Sequence, residues 1–137
     1  MSDQRGWSGP RGIVVRDAHF PGRPRLDAYG NGGFRFAEMS HRGSILCLPS
    51  GVHGWKVATV ADLDAAAFAP VLAEAADFEI LLVGTGPTLV PLPPALMMDL
   101  RAAGLRAEVM ATGSAVRTYN VLLAEERAVA AALLAVD

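Results

Sequence analysis

The stretch from Phe78 to Met110 constrains the fold of this chain more than any other part of its sequence. Ile80 to Val83 is continuously apolar, as expected for a strand covered on both faces. Pro93-Pro94 marks the first turn of a helix and Gly104 marks its end. Arg106 to Met110 then predicts a second strand. The stretch therefore predicts a right-handed βαβ unit with parallel strands, which indicates an α/β protein.

The first half of the chain has the texture of strands joined by tight turns. Leu26 to Tyr29 and Phe34 to Met39 flank Gly30-Asn31-Gly32-Gly33, where Asn and Gly accept the backbone conformations of a hairpin turn. Ser44 to Leu48 predicts another strand, and Trp55 to Val57 predicts a short one.

Alanine-rich runs in the second half predict helices. Asp62 and Asp64 lie near the start of a predicted helix from Ala61 to Phe68, where the backbone dipole favours negative charge. Two further helices are predicted near the end of the chain, from Ala115 to Leu123 and from Glu125 to Ala135.

The length of 137 residues matches one domain, and no linker divides it. Residues 1–12, rich in Gly and Arg, are predicted to be a flexible arm, and residues 13–137 the single domain. The net charge of -2 and the missing basic stripe argue against nucleic-acid binding. The longest nearly uncharged run, Ile80 to Met98, contains two glycines and four prolines, which argues against a membrane span.

The lone cysteine, Cys47, excludes an intrachain disulfide and fits a reducing compartment, so we expect a cytoplasmic protein. Its apolar neighbours predict a buried, unreactive thiol. The three histidines do not match a zinc spacing, and no nucleophile elbow is present, so the sequence predicts no metal, no cofactor and no catalytic set.

The loop Gly84-Thr85-Gly86-Pro87 follows the buried strand, at the position where open α/β sheets place ligands. A dinucleotide fingerprint is excluded because Leu89 replaces the third glycine, and a Walker loop because Lys56 is the only lysine. Two interpretations remain open: the glycines only permit a tight turn, or they form one wall of a pocket for a small anionic ligand.

A second motif runs from Thr112 to Asn120 and starts a helix directly after the second parallel strand. Ser114 or Thr112 is predicted to cap this helix, and a helix start beside Arg117 favours anions. The alternative is that Arg117 pairs with a carboxylate and serves structure. The residues of the hypothetical ligand site are Gly84, Thr85, Gly86, Thr112, Gly113, Ser114, Arg117 and Asn120.

Taken together, the motifs resemble a small family of unknown function with an Mth-type domain. It includes mitochondrial complex I assembly factor 3 and the adipogenesis-associated Mth-type domain-containing protein. The resemblance lies in Ser50 to Trp55, Ile80 to Gly86 and Glu108 to Leu122. It extends from about Ile13 to Val136, and its most specific part is Arg117-Thr118-Tyr119-Asn120.

The resemblance implies a three-layer α/β fold, with a mixed central sheet and an extra N-terminal β-hairpin layer. It implies no established reaction. Some relatives have Cys at the position of Val116, so a thiol role there cannot operate in this chain. We expect a non-catalytic binding or complex-assembly factor whose partner is a membrane-complex subunit or assembly machinery. The alternative is an anionic-ligand binding protein or enzyme that uses Gly84 and Arg117. The chain is expected to be a monomer or a weak homo-oligomer.

Overall fold

The computed structural model describes residues 20–137. The arm predicted over residues 1–12 and the predicted domain start at residue 13 lie outside the described residues. The strands are β1 (Ala28–Gly30), β2 (Gly33–Phe36), β3 (Met39–Arg42), β4 (Ser44–Leu48), β5 (Gly51–Trp55), β6 (Ile80–Gly84), β7 (Arg106–Met110) and β8 (Val129–Leu133). The α-helices are α1 (Ala69–Ala73), α2 (Pro94–Ala102) and α3 (Thr112–Ala124), and two short 3-10 turns lie at Val60–Asp62 and Ala75–Asp77.

Two sheets form the fold. The first is the antiparallel sheet β1-β2-β3, and the second is a five-stranded sheet in the order β5-β4-β8-β6-β7. In the second sheet β6 is parallel to both β7 and β8, whereas β4 is antiparallel to β8 and to β5. The five-stranded sheet is therefore mixed, and it contains the predicted βαβ unit as β6-α2-β7.

The five-stranded sheet is the middle of three layers. Its first face packs against α1, α2 and the chain before α1, through core residues such as Leu81, Leu96 and Leu100. Its second face packs against the three-stranded sheet and α3, through residues such as Phe36 and Tyr119. This confirms the three-layer α/β fold with a mixed central sheet, and the predicted N-terminal hairpin lies in the same layer as α3.

The predicted hairpin is confirmed, with Ala28 opposite Arg35 and Tyr29 opposite Phe34. The helix α2 is also confirmed, with a proline in its first turn and Gly104 after its end at a φ of 88°. The strand predicted over Arg106 to Met110 has the observed bounds of β7.

The helix predicted over Glu125 to Ala135 is wrong, because Val129–Leu133 is the central strand β8. All five of its residues are buried. Alanine favours helices in isolation, but here tertiary packing on both faces decides the structure. The predicted helix Ala115 to Leu123 is confirmed within α3, and Glu126, with a φ of 60°, turns the chain back toward the sheet.

The helix predicted over Ala61 to Phe68 is also wrong, since this segment contains only turns before α1 begins. Asp64 Oδ1 accepts a hydrogen bond from the Ala67 N–H (2.9 Å), and Trp55 Nε1 donates one to the Ala67 carbonyl (2.8 Å). These side-chain bonds compete with helical backbone bonds.

The short strand predicted over Trp55 to Val57 lies too late in the sequence. The strand β5 ends at Trp55 and begins directly after the turn at Pro49-Ser50, so β4 and β5 form a hairpin.

Candidate functional site

The candidate site lies where the carboxyl ends of β6 and β7 meet the start of α3. Because β6 and β7 are parallel neighbours, the loop after Gly84 and the helix that follows Met110 emerge at the same edge of the sheet. The Thr112 N–H donates to the Gly86 carbonyl (2.8 Å). The two motifs predicted to lie side by side are therefore in direct contact.

The Thr112 side chain joins three parts of the chain. Its Oγ1 donates to the Leu134 carbonyl (2.7 Å) and accepts from the Gly86 N–H (3.0 Å). The Thr112 residue is fully buried. Its hydroxyl therefore serves as a buried bridge between the Gly84 loop and the end of β8, and it is not exposed to a ligand.

Thr112 does not cap α3, and neither does Ser114. The N-cap position is Ala111, and no side-chain cap hydrogen bond is present there. The capping role predicted for Thr112 or Ser114 is wrong because the Thr112 hydroxyl turns away to bond Gly86 and Leu134.

The residues Gly84 and Thr85 form the closed floor of this edge. A Cβ on Gly84 would lie 2.9 Å from the Thr112 Cα, so only glycine permits α3 to approach so closely. The Thr85 hydroxyl donates to the Thr88 carbonyl (2.7 Å) and accepts from the Val90 N–H (2.9 Å). These contacts make the loop a compact turn whose polar groups bond to one another.

An open cleft of about 680 Å³ lies at this edge of the sheet, and neither Gly84 nor Thr85 lines it. Gly86 and Pro87 line one side, and Gly113, Ser114 and Arg117 line the other. The cleft thus brings together four of the eight predicted residues, and Pro87 joins them from the same loop.

Arg117 supplies the positive charge of the cleft. Its side chain is exposed, and its Nη2 makes a long hydrogen bond to Ser114 Oγ (3.4 Å). Asp137 lines the same cleft, so a carboxylate lies in the space that Arg117 faces. The arrangement suits recognition of a polar group, but no pair of nucleophile and base is present among these lining residues.

Tyr29 completes the cleft and could not be found from local sequence. It belongs to β1, and a Cβ on Gly113 would lie 2.4 Å from its hydroxyl oxygen. Glycine at position 113 therefore leaves room for the end of the Tyr29 side chain at the start of α3. Tyr29 and Gly113 are far apart in sequence and meet only in the tertiary fold, so no local sequence motif predicts their contact.

Asn120 does not reach the cleft. Its Oδ1 accepts from the Leu26 N–H (2.8 Å), and its Nδ2 donates to the Leu26 carbonyl (2.8 Å). The amide group thus fixes the chain entering β1 onto α3. Within the Arg117 to Asn120 motif, one end faces the cleft and the other end holds two layers together.

Cys47 is buried, as predicted from its apolar neighbours. Burial raises the pKa of its thiol to about 12, an effect larger than the opposing influences of Arg23 and of the hydrogen bond with Tyr119. Burial also raises the pKa of Tyr119, and the neighbouring Cys47 adds to that rise. The thiol therefore remains protonated and unreactive at neutral pH.

A second polar cluster joins the tip of the β4-β5 hairpin to the end of α1. The Ser50 hydroxyl donates to Glu74 Oε2 (2.6 Å), and its oxygen lies 2.7 Å from His53 Nε2. The Ser50 N–H donates to Glu74 Oε1 (2.9 Å). Because Glu74 accepts both bonds from Ser50, the geometry is that of a structural tie, in which the serine proton is already held by the carboxylate.

Sequence reasoning did not find this cluster. The spacing of Ser50 and His53 is visible in the sequence, but the third member, Glu74, comes from a helix whose position was not predicted. Among residues 20–137, no group of three or more His, Cys, Asp or Glu side chains is arranged to hold a metal ion. The same residues contain no helix that is both long and apolar enough to span a membrane.

The chain resembles proteins whose function is undefined and proteins named for complex assembly. A family model described as a protein of unknown function (DUF498/DUF598) matches residues 26–134. An uncharacterized protein of Rhodobacter capsulatus is 43% identical over 122 residues, which are 89% of this chain and 93% of that protein. A mouse protein named NADH dehydrogenase [ubiquinone] 1 alpha subcomplex assembly factor 3 is 30% identical over 122 residues, 89% of this chain but only 66% of its own length.

Solved structures with the same fold are also similar in sequence. A crystal structure described as an outer membrane protein from Bartonella henselae has a TM-score of 0.84 and 53% identity, and the match covers 87% of this chain and all of that one. An NMR structure from Rhodopseudomonas palustris has a TM-score of 0.78 and 42% identity, covering 88% of both chains. A Mth938-like domain from Bordetella pertussis has a TM-score of 0.71 and 32% identity, covering 82% of this chain and 85% of that one.

Proposed function

Because the chain belongs to the DUF498/DUF598 family of unknown function, and a relative is named as an assembly factor of NADH dehydrogenase, we propose that it binds a partner protein during assembly of a membrane complex. The relative carries this proposal, since 89% of the chain aligns with it. The chain covers only 66% of the mouse factor, so the proposal concerns the shared domain alone. The cytoplasmic location expected from the sequence stays a prediction.

The cleft beside Arg117 is the proposed recognition surface. The buried hydroxyls of Thr85 and Thr112 do not line the cleft and are engaged in hydrogen bonds within the fold, whereas Arg117 lines the cleft and is exposed. Pro87, which is exposed, lines the same cleft, as do the half-buried Ala135 and Val136. An exposed Arg beside apolar groups is the composition favoured at protein interfaces.

Complementation in a deletion strain tests the proposal. Deleting the gene is expected to lower the amount of assembled membrane NADH dehydrogenase, measured on native gels, and the wild-type chain should restore it. Arg117→Glu should restore it poorly. Arg127→Glu is the matched control, because Arg127 is exposed but does not line the cleft. Normal assembly in the deletion strain, or equal rescue by both variants, would refute the proposed role of the cleft.

Anionic-ligand binding is the second candidate, favoured by the first turn of α3. Gly113 and Ser114 lie at the uncapped start of this helix and line the cleft with Arg117. Backbone N–H groups at a helix start and a guanidinium group both stabilise negative charge. Asp137 opposes an anion in the same cleft.

Thermal shift with inorganic phosphate and with acetate tests this second candidate. A shift that is lost in Arg117→Ala, kept in Arg127→Ala and increased in Asp137→Asn is the expected result. If Arg117→Ala leaves every shift unchanged, the anion site does not exist.

A further inference from the structure

The strand β7 forms one edge of the five-stranded sheet, and in the described part of the chain no strand lies beyond it. The Arg106 N–H donates to the Glu79 carbonyl (2.9 Å), and the Met110 carbonyl accepts from the Thr85 N–H (2.9 Å). Alternate residues of a strand direct their backbone groups to opposite sides, so Ala107 and Val109 direct theirs away from β6. Unpaired groups of this kind can pair with another strand.

The side chains on this edge carry opposite charges. Arg106 and Glu108 are two residues apart, so they project from the same face of the strand. Both are well exposed, and Arg106 Nε lies 3.2 Å from Glu108 Oε2. Charged side chains usually discourage edge pairing. A basic and an acidic residue at this spacing discourage most partners, but they complement a second copy of the same edge.

We propose that β7 pairs antiparallel with β7 of a second copy of this chain, which joins the five-stranded sheets of the two copies across a two-fold axis. Two-fold symmetry requires that the same edge of both copies takes part and that the strands run in opposite directions. The outward-facing residue of one strand must then lie opposite an outward-facing residue of the other.

The charges select one register among those that satisfy these conditions. A two-fold axis at Ala107 places Arg106 opposite Glu108 of the partner subunit, and the symmetry makes this pair occur twice. If Ala107 lay opposite Val109 of the partner subunit, the two Glu108 side chains would face each other, which is unfavourable. An axis at Val109 would leave Glu108 opposite Met110 without a charge pair. The register centred on Ala107 is therefore the favoured one.

A cleft beside the edge gives this pairing additional surface to bury. It lies between α2 and β7, has a volume of about 360 Å³ and is lined by Met97, Arg101 and Gly104. A short edge with this small flanking surface favours a weak, concentration-dependent dimer. This inference is independent of the proposed assembly role.

Variants that reverse or exchange the charges of Arg106 and Glu108 test this register. Sedimentation equilibrium over a series of protein concentrations measures their dimer dissociation constants. The wild-type chain is expected to reach twice the monomer mass at high concentration. Arg106→Glu and Glu108→Arg each place like charges opposite one another twice, and each should raise the dimer dissociation constant at least about tenfold. The double variant R106E/E108R restores opposite charges and should dimerise like the wild type.

Arg25→Glu is the matched control for the charge change. Arg25 and Asp27 are also exposed and two residues apart, with Arg25 Nε 3.6 Å from Asp27 Oδ1, but they lie outside β7. This control should dimerise normally. A wild-type chain that stays monomeric throughout, dimers that survive both single reversals, or a double variant that fails to dimerise would overturn the proposal.

One further variant tests whether the outward backbone groups of β7 form the interface. Ala107→Pro removes an outward N–H without touching the bonds to β6, so it should abolish dimerisation while circular dichroism shows a folded chain. If Ala107→Pro dimerises like the wild type, another surface forms the interface and the pairing of β7 is refuted.

Discussion

The strands β8 and β7 lie on either side of β6 in the same sheet, and both are parallel to it, but they differ in burial and charge. All five residues of β8 are buried, and three of them are alanines. In β7 no residue is fully buried: Arg106 and Glu108 are exposed and charged, and the other three residues are half-buried. The central strand has layers on both faces and strands on both sides, whereas the edge strand has an open side.

The comparison shows that small side chains fill the middle three positions of β8. Ala131 lies between Cys47 of β4 and Leu82 of β6, in the row that faces α3 and the three-stranded sheet. Ala130 and Ala132 face the opposite layer. Both layers pack on β8, so we expect a longer side chain at these alanine positions to overlap its neighbours.

Ala131→Leu is expected to have the largest effect. The added methylene groups must fit into a filled row between two strands, so the free energy of unfolding should fall by about 3 kcal/mol or more. Urea unfolding followed by circular dichroism measures this loss.

Ala107→Leu on β7 is the matched control for Ala131→Leu. At low protein concentration, where only the single chain is measured, it should cost less than about 1 kcal/mol because Ala107 is only partly buried at the edge. If both variants lost the same free energy of unfolding, the cost of a larger side chain would not depend on whether the strand is central or at the edge.

Thr112→Val should have the second largest effect, since Thr112 secures the end of β8. The substitution keeps the shape but leaves the buried Gly86 N–H and Leu134 carbonyl without their partner. The expected loss is about 2 kcal/mol in the free energy of unfolding. Thr112→Ser keeps the hydroxyl and should lose less. If Thr112→Ser were the more damaging of the two, packing of the methyl group would outweigh the hydrogen bonds.

The buried thiol of Cys47 on β4 should make the free energy of unfolding depend on pH. Its pKa is about 12 in the folded chain and close to the ordinary value of 9.0 when unfolded, so folding is favoured below pH 9 and loses stability as pH rises above it. Between pH 8 and 10 this thiol alone should lower the free energy of unfolding by about 1.4 kcal/mol. Cys47→Ala should reduce the pH dependence by that amount. Identical pH profiles would mean that the thiol ionises equally in both states.

Glu74→Ala, next to the β4-β5 hairpin, should have the smallest effect on the free energy of unfolding. Glu74 accepts two hydrogen bonds from Ser50 at the tip of the β4-β5 hairpin, and this contact is exposed to solvent. The expected loss is about 0.5–1 kcal/mol. A double-mutant cycle with Ser50→Ala measures the coupling energy between the two side chains. A coupling energy of zero would show that their contact does not stabilise the fold.

The βαβ unit was predictable because its signals are local. Pro93-Pro94 and Gly104 mark the ends of α2, and the apolar run before Gly84 is typical of a buried strand. The strand β8 was not predictable in the same way. Its Ala130 to Ala132 run favours a helix when nothing beyond the sequence is known. Only the strands on either side of it decide the outcome.

The candidate site was half predictable for the same reason. Parallel neighbouring strands bring their carboxyl ends together, so the contact between the Gly84 loop and the start of α3 followed from the sequence. The role of the Thr112 hydroxyl did not, because its acceptor, Leu134, follows the strand that was predicted as a helix. The position of Asn120 beside Leu26 likewise depends on how the first hairpin layer packs.

The place of β8 in the sheet also matters for synthesis of the chain. The β4-β5 hairpin and the β6-α2-β7 unit are translated first, yet neither pairs directly with the other. When each of these units leaves the ribosome, it has a strand, β4 or β6, whose neighbour β8 has not yet been synthesised. Until β8 enters between β4 and β6, each half exposes apolar surface, so the nascent chain passes through a period when it is vulnerable to aggregation.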